Sequence, residues 1–199
     1  MDFKENENVG TMPVLEKHAI DAVALQSFMQ ANVPGFEGEI SIEEFKGGQS
    51  NPTYKIVSPS KSYVLRRKPP GKLLKSAHAV DREYRVITAL NQTEVPVPTS
   101  YALCEDDSII GTAFYLMEFM DGRVLWDASM NGHSKEESYG VYASMNSTMA
   151  ALHSVDPYEI GLETFGKPGN YVGRQVSIWT KQYQDSETEE IEDMNKLIE

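Results

Sequence analysis

The sequence predicts an α+β fold in which a small antiparallel sheet with one helix is followed by a set of helices. Short alternating or apolar segments, separated by Gly and Pro turns, fill much of the first 120 residues. The segment 77–90 between them has helical periodicity. After Asp121-Gly122 the composition becomes typical of helices. We therefore divide the chain into residues 1–38, 39–120 and 121–199.

Residues 1–38 are expected to form an N-terminal tail and a helix. The first ten residues are polar and acidic, so they do not resemble a secretory signal. The segment Leu15 to Ala31 is predicted to be helical, and Pro34-Gly35 ends it. The apolar positions that give the helical spacing are Ile20, Val23, Ala24 and Phe28.

Residues 39–120 are expected to form a lobe with a five-stranded antiparallel sheet and one helix. Alternation predicts the first strand at 39–45, and a Gly-rich segment then interrupts it. The segment 113–119, AFYLMEF, is nearly all apolar, as expected of a central strand. The other strands are predicted at 53–57, 63–67 and 100–104, and the helix at 77–90.

Residues 121–199 are expected to form a hinge and an incomplete helical lobe. Helices are predicted at 135–153, 174–184 and 186–199, the last with a capping box of Ser186 and Glu189. No Gly, Asn or Pro stop signal follows the last helix, so we expect a lobe that is cut within a domain. The positions predicted to be buried are Tyr139, Tyr142, Ala143, Met149, Ala150 and Leu152 in the first helix, and the stripe Ile191, Met194, Leu197 and Ile198 in the last.

The charge of the chain excludes some classes of partner. The formal net charge of −12 argues against nucleic-acid binding and against an anionic membrane surface, because both require cationic protein surface. No apolar run approaches the roughly 20 residues that span a bilayer. An acidic protein can still bind a nucleotide through a local pocket of amides and cations.

The cysteine and histidine content predicts a protein of a reducing, cytoplasmic compartment without a zinc site. Cys104 is the single cysteine, which rules out an internal disulfide. We interpret Cys104 as a small buried strand residue in preference to a catalytic thiol. The four histidines do not occur at metal-ligand spacing.

Four features in a fixed order indicate a nucleotide site of the kind found in kinases. Gly47 and Gly48 lie between the first two strands, where backbone N–H groups can approach a phosphate. Arg66 or Arg67 supplies a cation on the third strand, and Glu83 lies in the next helix. A buried strand then leads to the Asp121-Gly122 hinge. Each feature alone is more often a plain turn or a solvated charge, so the order is what favours this interpretation.

The residues that carry these features resemble a known family. The segments FKGGQSNPTY (45–54), YVLR (63–66), DREY (81–84) and LMEFMDG (116–122) are similar to aminoglycoside phosphotransferases and choline kinases. The segments FGKPGNY (165–171) and RQV (174–176) resemble, more specifically, the kinase-like domain linked to acyl-CoA dehydrogenases. The resemblance covers residues 40–199.

The resemblance implies a protein-kinase-like N-terminal lobe followed by the first helices of an α-helical C-terminal lobe. It implies ATP and Mg²⁺ as cosubstrates and transfer of phosphate to a hydroxyl of a small molecule, with a hydroxyacyl-CoA as one candidate acceptor. A fused or separate acyl-CoA dehydrogenase is the implied partner. Shared fold does not transfer substrate, so aminoglycoside resistance is not implied.

The resemblance also implies residue roles at the nucleotide. Arg66 takes the position of the phosphate-binding cation, with Glu83 as its helix partner and Met117 as gatekeeper. Arg in place of the more frequent Lys leaves its contact open, because guanidinium is a fork and not a point charge. The remaining nucleotide-binding residues are Gly47, Gly48, Gln49, Ser50 and Asn51 at the phosphates and Glu118, Phe119 and Met120 at the adenine.

The sequence lacks the family's catalytic loop. No His-Gly-Asp segment occurs in it, so we assign no catalytic or metal-ligating residue and expect little phosphoryl transfer from these 199 residues alone. Two other interpretations stay open. The chain is a non-catalytic nucleotide-binding or interaction module that docks through the stripe of its last helix, or it is a fragment whose exposed stripe causes aggregation.

Overall fold

The computed structural model describes residues 9–46, 51–69, 78–125 and 127–199. The chain divides into two compact units, residues 1–162 and residues 163–199. The three-part division expected from the sequence stays a prediction.

A six-stranded antiparallel sheet forms the centre of the first unit among the described residues. Its order along the sheet is β1-β2-β3-β4-β6-β5. The five predicted strands are all present, and the apolar segment forms β6 between β4 and β5, as expected of a central strand. The strands are β1 (Thr11–Met12), β2 (Ser41–Phe45), β3 (Thr53–Val57), β4 (Ser62–Arg67), β5 (Ser100–Cys104) and β6 (Phe114–Glu118).

The sixth strand, β1, was not predicted from the sequence. It pairs with β2 so that Thr11 lies opposite Phe45 and Met12 opposite Glu44. A strand of two residues has no alternation that a sequence pattern could show. Its hydrogen bonds come from the neighbouring strand, and the Thr11 hydroxyl adds a bond of 2.6 Å to the Glu43 carboxylate.

The first helix is shorter than predicted. A 3₁₀ turn covers Glu16–His18, and the α-helix α1 covers Ala22–Asn32. The prediction of one helix from residue 15 is wrong, because Asp21 caps α1. Its carboxylate accepts hydrogen bonds of 3.0 Å from the backbone N–H groups of Val23 and Ala24, which fixes the start of the helix one residue later.

Three further helices complete the described part of the first unit. They are α2 (Val80–Leu90), α3 (Asp107–Ile110) and α4 (Lys135–His153). The short helix α3 follows β5, where Asp106 caps its start and Gly111 ends it at a φ of 86°. At α4 the side chain of Ser134 and that of Glu137 each bond the other's backbone, which forms a capping box.

The two faces of the sheet are covered to different extents. Residues directly opposite each other in antiparallel strands share a face, so Glu44, Tyr54, Leu65 and Leu116 lie together. Helix α1 packs on this covered face and forms the main core. Its fully buried members include Leu25, Met29, Tyr54, Ile56, Tyr63, Leu65, Phe114 and Leu116.

The opposite face is covered only at its β5–β6 side in the described structure. Helix α2 packs there, with Val80 buried against Ala113 and Tyr115. Tyr84 and Ile87 of this helix pack at the edge of the same cluster. The part of this face on β2, β3 and β4 holds half-buried side chains around the buried Val64, and we call it the open face: Glu43, Phe45, Thr53, Lys55, Val64 and Arg66.

The predicted burial of α4 is wrong. None of its residues is buried, and Tyr139, Tyr142, Ala143, Met149, Ala150 and Leu152 are all exposed. The helix bounds match the prediction, because the capping box and helix-forming residues determine them locally. Burial requires a neighbouring element, and no described element covers this face.

The second unit contains α5 (Tyr171–Ser186) and α6 (Glu192–Ile198). The predicted capping box of Ser186 and Glu189 is wrong. Ser186 is the last residue of α5, and its hydroxyl donates a hydrogen bond of 2.8 Å to the carbonyl of Gln182. In the predicted stripe, Leu197 is 78% exposed and Ile191 is 44% exposed.

No helix in the described part of the chain is both long enough and apolar enough to cross a membrane.

Candidate functional site

An ion pair joins the sheet to α2 at the edge of the open face. Arg66 on β4 donates through Nε to Oε2 of Glu83 at 2.6 Å and through Nη2 to Oε1 at 3.3 Å. Both side chains are about one-third exposed, at 31% and 33%. The two bonds form a fork that fixes the plane of the guanidinium as well as its distance from the carboxylate. The sequence predicts this pairing, and the role of both residues at a nucleotide stays a prediction.

Local structure on both sides positions the pair. Arg66 lies opposite Tyr115 across the β4–β6 pairing and opposite Thr53 across the β3–β4 pairing. The Thr53 hydroxyl accepts a bond of 3.2 Å from Nη1 of Arg66. Three of the five guanidinium N–H groups therefore bond described side chains, and the other two can donate to an anion on the open face.

Tyr115, on the neighbouring strand β6, also bonds the carboxylate of Glu83. Its hydroxyl donates to Oε2 of Glu83 at 3.1 Å. Burial raises the pKa of Tyr115 above its usual value, and the negative charge of Glu83 raises it further. The pKa of Arg66 is also raised, chiefly because its guanidinium donates to Glu83. Arg66 thus keeps its positive charge and Tyr115 its proton at any physiological pH.

A second polar contact reaches Glu83 from the start of β3. Asn51 is 5% exposed, and its Nδ2 donates to Oε1 of Glu83 at 3.1 Å. The Oδ1 atom of the same amide lies 2.6 Å from Nδ1 of His78. Glu83 therefore accepts bonds from Arg66, Asn51 and Tyr115, so both carboxylate oxygens are satisfied.

The segment after β6 borders the open face with an aromatic ring. Phe119 stacks on Phe45 at 6.4 Å between ring centroids and 19° between planes. The Nζ of Lys55 lies 4.3 Å from the centroid of the Phe119 ring, a cation–π contact. Phe45 and Lys55 belong to the open face, so this ring lies at the margin of that face.

Predicted adenine-side residues take different positions. Met117 lies on the Arg66 side of the sheet, opposite Val64. Glu118 points to the other side, where its carboxylate accepts bonds from the backbone N–H (3.1 Å) and hydroxyl (2.8 Å) of Thr99. The Thr99 N–H and hydroxyl hold the pKa of Glu118 below its usual value. Met120 follows with a side chain that is 61% exposed.

The backbone N–H of Glu118 is also engaged. It donates to the carbonyl oxygen of Thr99 at 2.8 Å. This N–H is therefore not free to bind a ligand at the hinge.

Four predicted phosphate-side residues lie outside the described residues. These are Gly47, Gly48, Gln49 and Ser50. The structure places the residue that follows them, Asn51, within hydrogen-bond distance of Glu83.

Sequence reasoning missed four residues that the structure places at the site. His78 and Thr53 had no motif that could single them out, and Tyr115 was hidden in an apolar strand. Lys55 had a usable signal, because it alternates in phase with Thr53 on a strand whose neighbours Tyr54 and Ile56 are apolar.

The described residues also bear on the expectations for a metal site and for Cys104. No group of three or more His, Cys, Asp or Glu residues is placed to hold a metal ion within the described ranges. Cys104 is 4% exposed on β5. Burial raises the pKa of its thiol, so the unreactive thiol form is favoured.

Comparison with known proteins assigns the fold to a kinase-like class. The structure of a Ralstonia eutropha protein, provisionally described as an aminoglycoside phosphotransferase, superimposes with a TM-score of 0.75 at 52% sequence identity. The match covers 90% of this chain and 52% of that chain. The sheet with its Arg66–Glu83 pair is thus part of a kinase-like α+β fold.

Residues 41–199 match the profile of the Phosphotransferase enzyme family. The chain belongs to this family, because the match covers well over half of its length.

Curated relatives are acyl-CoA dehydrogenase family proteins. The chain is 44% identical over 190 residues to mouse acyl-CoA dehydrogenase family member 10, covering 95% of this chain and 18% of that protein. It is 47% identical over 180 residues to the probable acyl-CoA dehydrogenase IBR3 of Arabidopsis thaliana, covering 86% and 22%. Human acyl-CoA dehydrogenase family member 11 is 40% identical over 190 residues, covering 94% and 24%. The chain therefore spans about a fifth to a quarter of these relatives.

Proposed function

We propose that the chain is the ATP-binding part of a small-molecule kinase, which transfers the terminal phosphate of ATP to a hydroxyl group. Membership of the Phosphotransferase enzyme family supports the reaction class. One observation carries the assignment of the nucleotide to this part of the chain. At one edge of the open face lies Arg66, whose guanidinium is held by two hydrogen bonds to Glu83. At another edge lies Phe119, in the segment that follows β6.

The proposed adenine site lies against β4 and β6. Val64 and Met117 are apolar neighbours on the Arg66 side of the sheet and provide a surface for a flat ring. The carbonyl of Glu118 and the backbone of Met120 would bond the adenine edge. Phe119 lies at the margin with Phe45 and Lys55, where it limits access of water to the ring.

The proposed phosphate site lies between Arg66 and the residues 47–51. The two N–H groups of Arg66 that do not bond described side chains would donate to phosphate oxygens, and Glu83 would hold the guanidinium in the required plane. Gly47 and Gly48 would bring backbone N–H groups close to phosphate, and Gln49 and Ser50 would add side-chain donors.

Magnesium enters this proposal only as the ion bound to ATP. Mg²⁺ neutralises phosphate charge in phosphoryl transfer, but the described residues contain no cluster of ligands that fits a resident ion. The sequence also contains no His-Gly-Asp segment to activate the acceptor hydroxyl. We therefore expect these 199 residues to bind nucleotide without turning it over.

The acceptor is proposed to be a small hydroxylated molecule, with a hydroxyacyl-CoA as the first candidate. The support is that several relatives are named as acyl-CoA dehydrogenase family members. A fused or separate acyl-CoA dehydrogenase is the corresponding proposed partner, and a cytoplasmic location remains the expectation from the sequence.

Thermal unfolding with ATP and Mg²⁺ tests the nucleotide site. A ligand that binds only the folded state raises its stability by RT ln(1 + [L]/Kd), so at about a hundredfold excess over Kd we expect a rise in Tm on the order of 5 °C. Arg66→Ala is expected to reduce the rise strongly, with weak residual binding. Lys135→Ala removes a cation from the exposed start of α4 and serves as the matched control.

Equal stabilisation of the wild type and Arg66→Ala would contradict the placement of phosphate at Arg66. No stabilisation of a folded wild type would contradict nucleotide binding by this chain. The latter result would favour the alternative function, an interaction module, for which the exposed apolar side chains of α4 and α5 are the supporting observation.

A further inference from the structure

Asn51 and His78 form a polar chain that ends on the Arg66–Glu83 pair. Asn51 lies at the start of β3 and His78 lies two residues before α2, so the chain links two separate segments to the pair. Asn51 is buried, and both polar atoms of its amide are engaged. A buried amide that is satisfied at both ends has a defined orientation, because any rotation would leave a polar group unpaired.

The hydrogen-bonding pattern fixes the proton positions in this chain. Glu83 is ionised beside Arg66 and can only accept, so the Nδ2 of Asn51 must face it. The Oδ1 of Asn51 then faces His78, and since this oxygen also only accepts, the proton must lie on Nδ1 of His78. His78 remains a donor to Asn51 whether or not the ring carries a second proton.

The backbone at His78 is consistent with a ring that is held in place. Its φ is 58°, in the left-handed region that a residue with a side chain rarely adopts. The carbonyl of His78 accepts a bond of 2.9 Å from the N–H of Val80 at the start of α2. The conformation is thus supported by a contact at each end, one on the backbone and one on the ring.

We propose that Asn51 is a positioning residue for Arg66, acting through Glu83, and that His78 holds Asn51 in the required orientation. The proposal rests on the proposed function and gives Asn51 a role different from the direct phosphate contact that the family resemblance implies. Asn51 donates to Oε1, and Tyr115 donates to Oε2. The carboxylate is thereby held in the plane that the Arg66 fork requires.

Nitrogen NMR of the ligand-free protein tests the chain without nucleotide. In the wild type we expect His78 to be in the Nδ1–H tautomer and the Nε–H signal of Arg66 to be shifted by its bond to Glu83. Asn51→Ala is expected to remove the tautomer preference and to move the Arg66 signal. An unchanged Arg66 signal in Asn51→Ala would overturn the proposal.

Asn91 provides a matched control for Asn51. Its amide joins the other end of α2 to the sheet, since Nδ2 donates to the carbonyl of Pro98 at 2.9 Å and Oδ1 accepts from the N–H of Ser100 at 3.1 Å. Asn91 is more exposed than Asn51. Asn91→Ala removes its amide link between α2 and the sheet and is expected to lower Tm without moving the Arg66 signal. Equal movement in both variants would mean that Asn51 acts only on general stability.

Conservative replacements of His78 separate its two ring nitrogens. An Asn side chain reaches about as far as Nδ1, and a Gln side chain about as far as Nε2. His78→Asn is therefore expected to keep the wild-type Arg66 signal, and His78→Gln and His78→Ala to lose it. The reverse order would assign the role to Nε2 and overturn the link through Asn51.

Nucleotide affinity then tests the consequence for the site. Asn51→Ala is expected to weaken ATP about tenfold, the effect of one lost charge-assisted hydrogen bond, and to leave adenosine unchanged. In an Arg66→Ala background the same substitution should have no further effect, because residues that act through one another are not additive. Additive losses would show a direct phosphate contact and overturn the proposal.

The two readouts separate this inference from the proposed function. If the wild type binds no ATP, the proposed function fails, and the ligand-free spectra alone decide whether Asn51 positions Arg66.

Discussion

At the scale of single residues, burial and hydrogen bonding determine which groups stay charged. On the covered face Tyr54 is fully buried, and its hydroxyl donates to the carbonyl of His18 at 3.0 Å. Burial raises the pKa of Tyr54 to about 12, although the nearby Arg67 lowers it in part. The ordinary value is about 10, so the folded protein holds this proton more tightly than the unfolded chain does.

This raised pKa predicts an alkaline loss of stability. A folded-state pKa above the unfolded value contributes stability that is present below about pH 10 and is lost as pH rises toward 12, at up to about 1.4 kcal/mol per pH unit. Tyr54→Phe should flatten this part of the curve of unfolding free energy against pH, as measured with urea. Tyr115 contributes in the same direction, so some slope should remain.

Tyr139→Phe is the control for that measurement. Tyr139 is 77% exposed on α4, so its replacement should leave the slope unchanged. A Tyr54→Phe protein with the wild-type slope would show that Tyr54 is not the residue responsible.

Residues with a charge or a motif were predictable, and residues that act by packing were not. The order of a cation on a strand and an acid on the next helix indicated Glu83 and either Arg66 or Arg67, and the family resemblance selected Arg66. Tyr115 was not indicated, because its hydroxyl matters only after the pairing of β4 and β6 brings it beneath Glu83. A contact between residues 32 positions apart in sequence is a property of the fold, not of the local pattern.

At the scale of elements, residues 15–19 form a strap that lies on the covered face in place of the predicted helix. Arg67 holds it by donating to the carbonyls of His18 at 2.9 Å and Ala19 at 3.4 Å. Glu44 accepts from the N–H of Leu15 at 3.1 Å and lies 2.6 Å from Nδ1 of His18. Arg67 and Glu44 are both buried, so the strap is held by polar contacts that water does not weaken.

Arg67→Met should release this strap. The substitution keeps an apolar stem, but it removes the side-chain donor to the Ala19 carbonyl and one of the two donors to the His18 carbonyl, whose other donor is the Tyr54 hydroxyl. Each lost bond costs about 1 kcal/mol. Loss of the unpartnered Nε of Arg67 offsets part of that cost. We expect the amide hydrogens of Leu15 and His18 to exchange faster and the urea midpoint to fall.

Lys68→Met is the matched control for the strap. Lys68 adjoins Arg67, but it is partly exposed, and its pair with Asp81 is 3.9 Å long. Its replacement should change neither exchange rate, and equal rates in all three proteins would contradict the role of Arg67.

Element types were more predictable from the sequence than their bounds or burial. Strand β3 and helix α4 have the predicted bounds, because alternation and a capping box are local signals. Residues 15–19 have a helical pattern, but buried donors of the sheet compete for their carbonyl groups. The prediction that α4 is buried was wrong for a similar reason, since burial depends on which elements pack against a helix.

At the scale of the whole molecule, the chain corresponds to part of larger proteins. It spans 52% of the solved Ralstonia eutropha chain and 18% of mouse acyl-CoA dehydrogenase family member 10. Its sheet has a complete core on the covered face, whereas the apolar side chains of α4 remain exposed. The nucleotide site proposed here depends on the sheet, α2 and the segment that follows β6.

The most direct test of the account is to map backbone amide signals during titration of the wild-type chain with ATP and Mg²⁺. We predict changes at Lys55, Val64 and Met117, together with the Nε–H signal of Arg66, and little change at Ile56 and Leu65 on the covered face. Changes confined to the covered face or to α5, or none in a folded protein at saturating ATP, would contradict a nucleotide site on the open face.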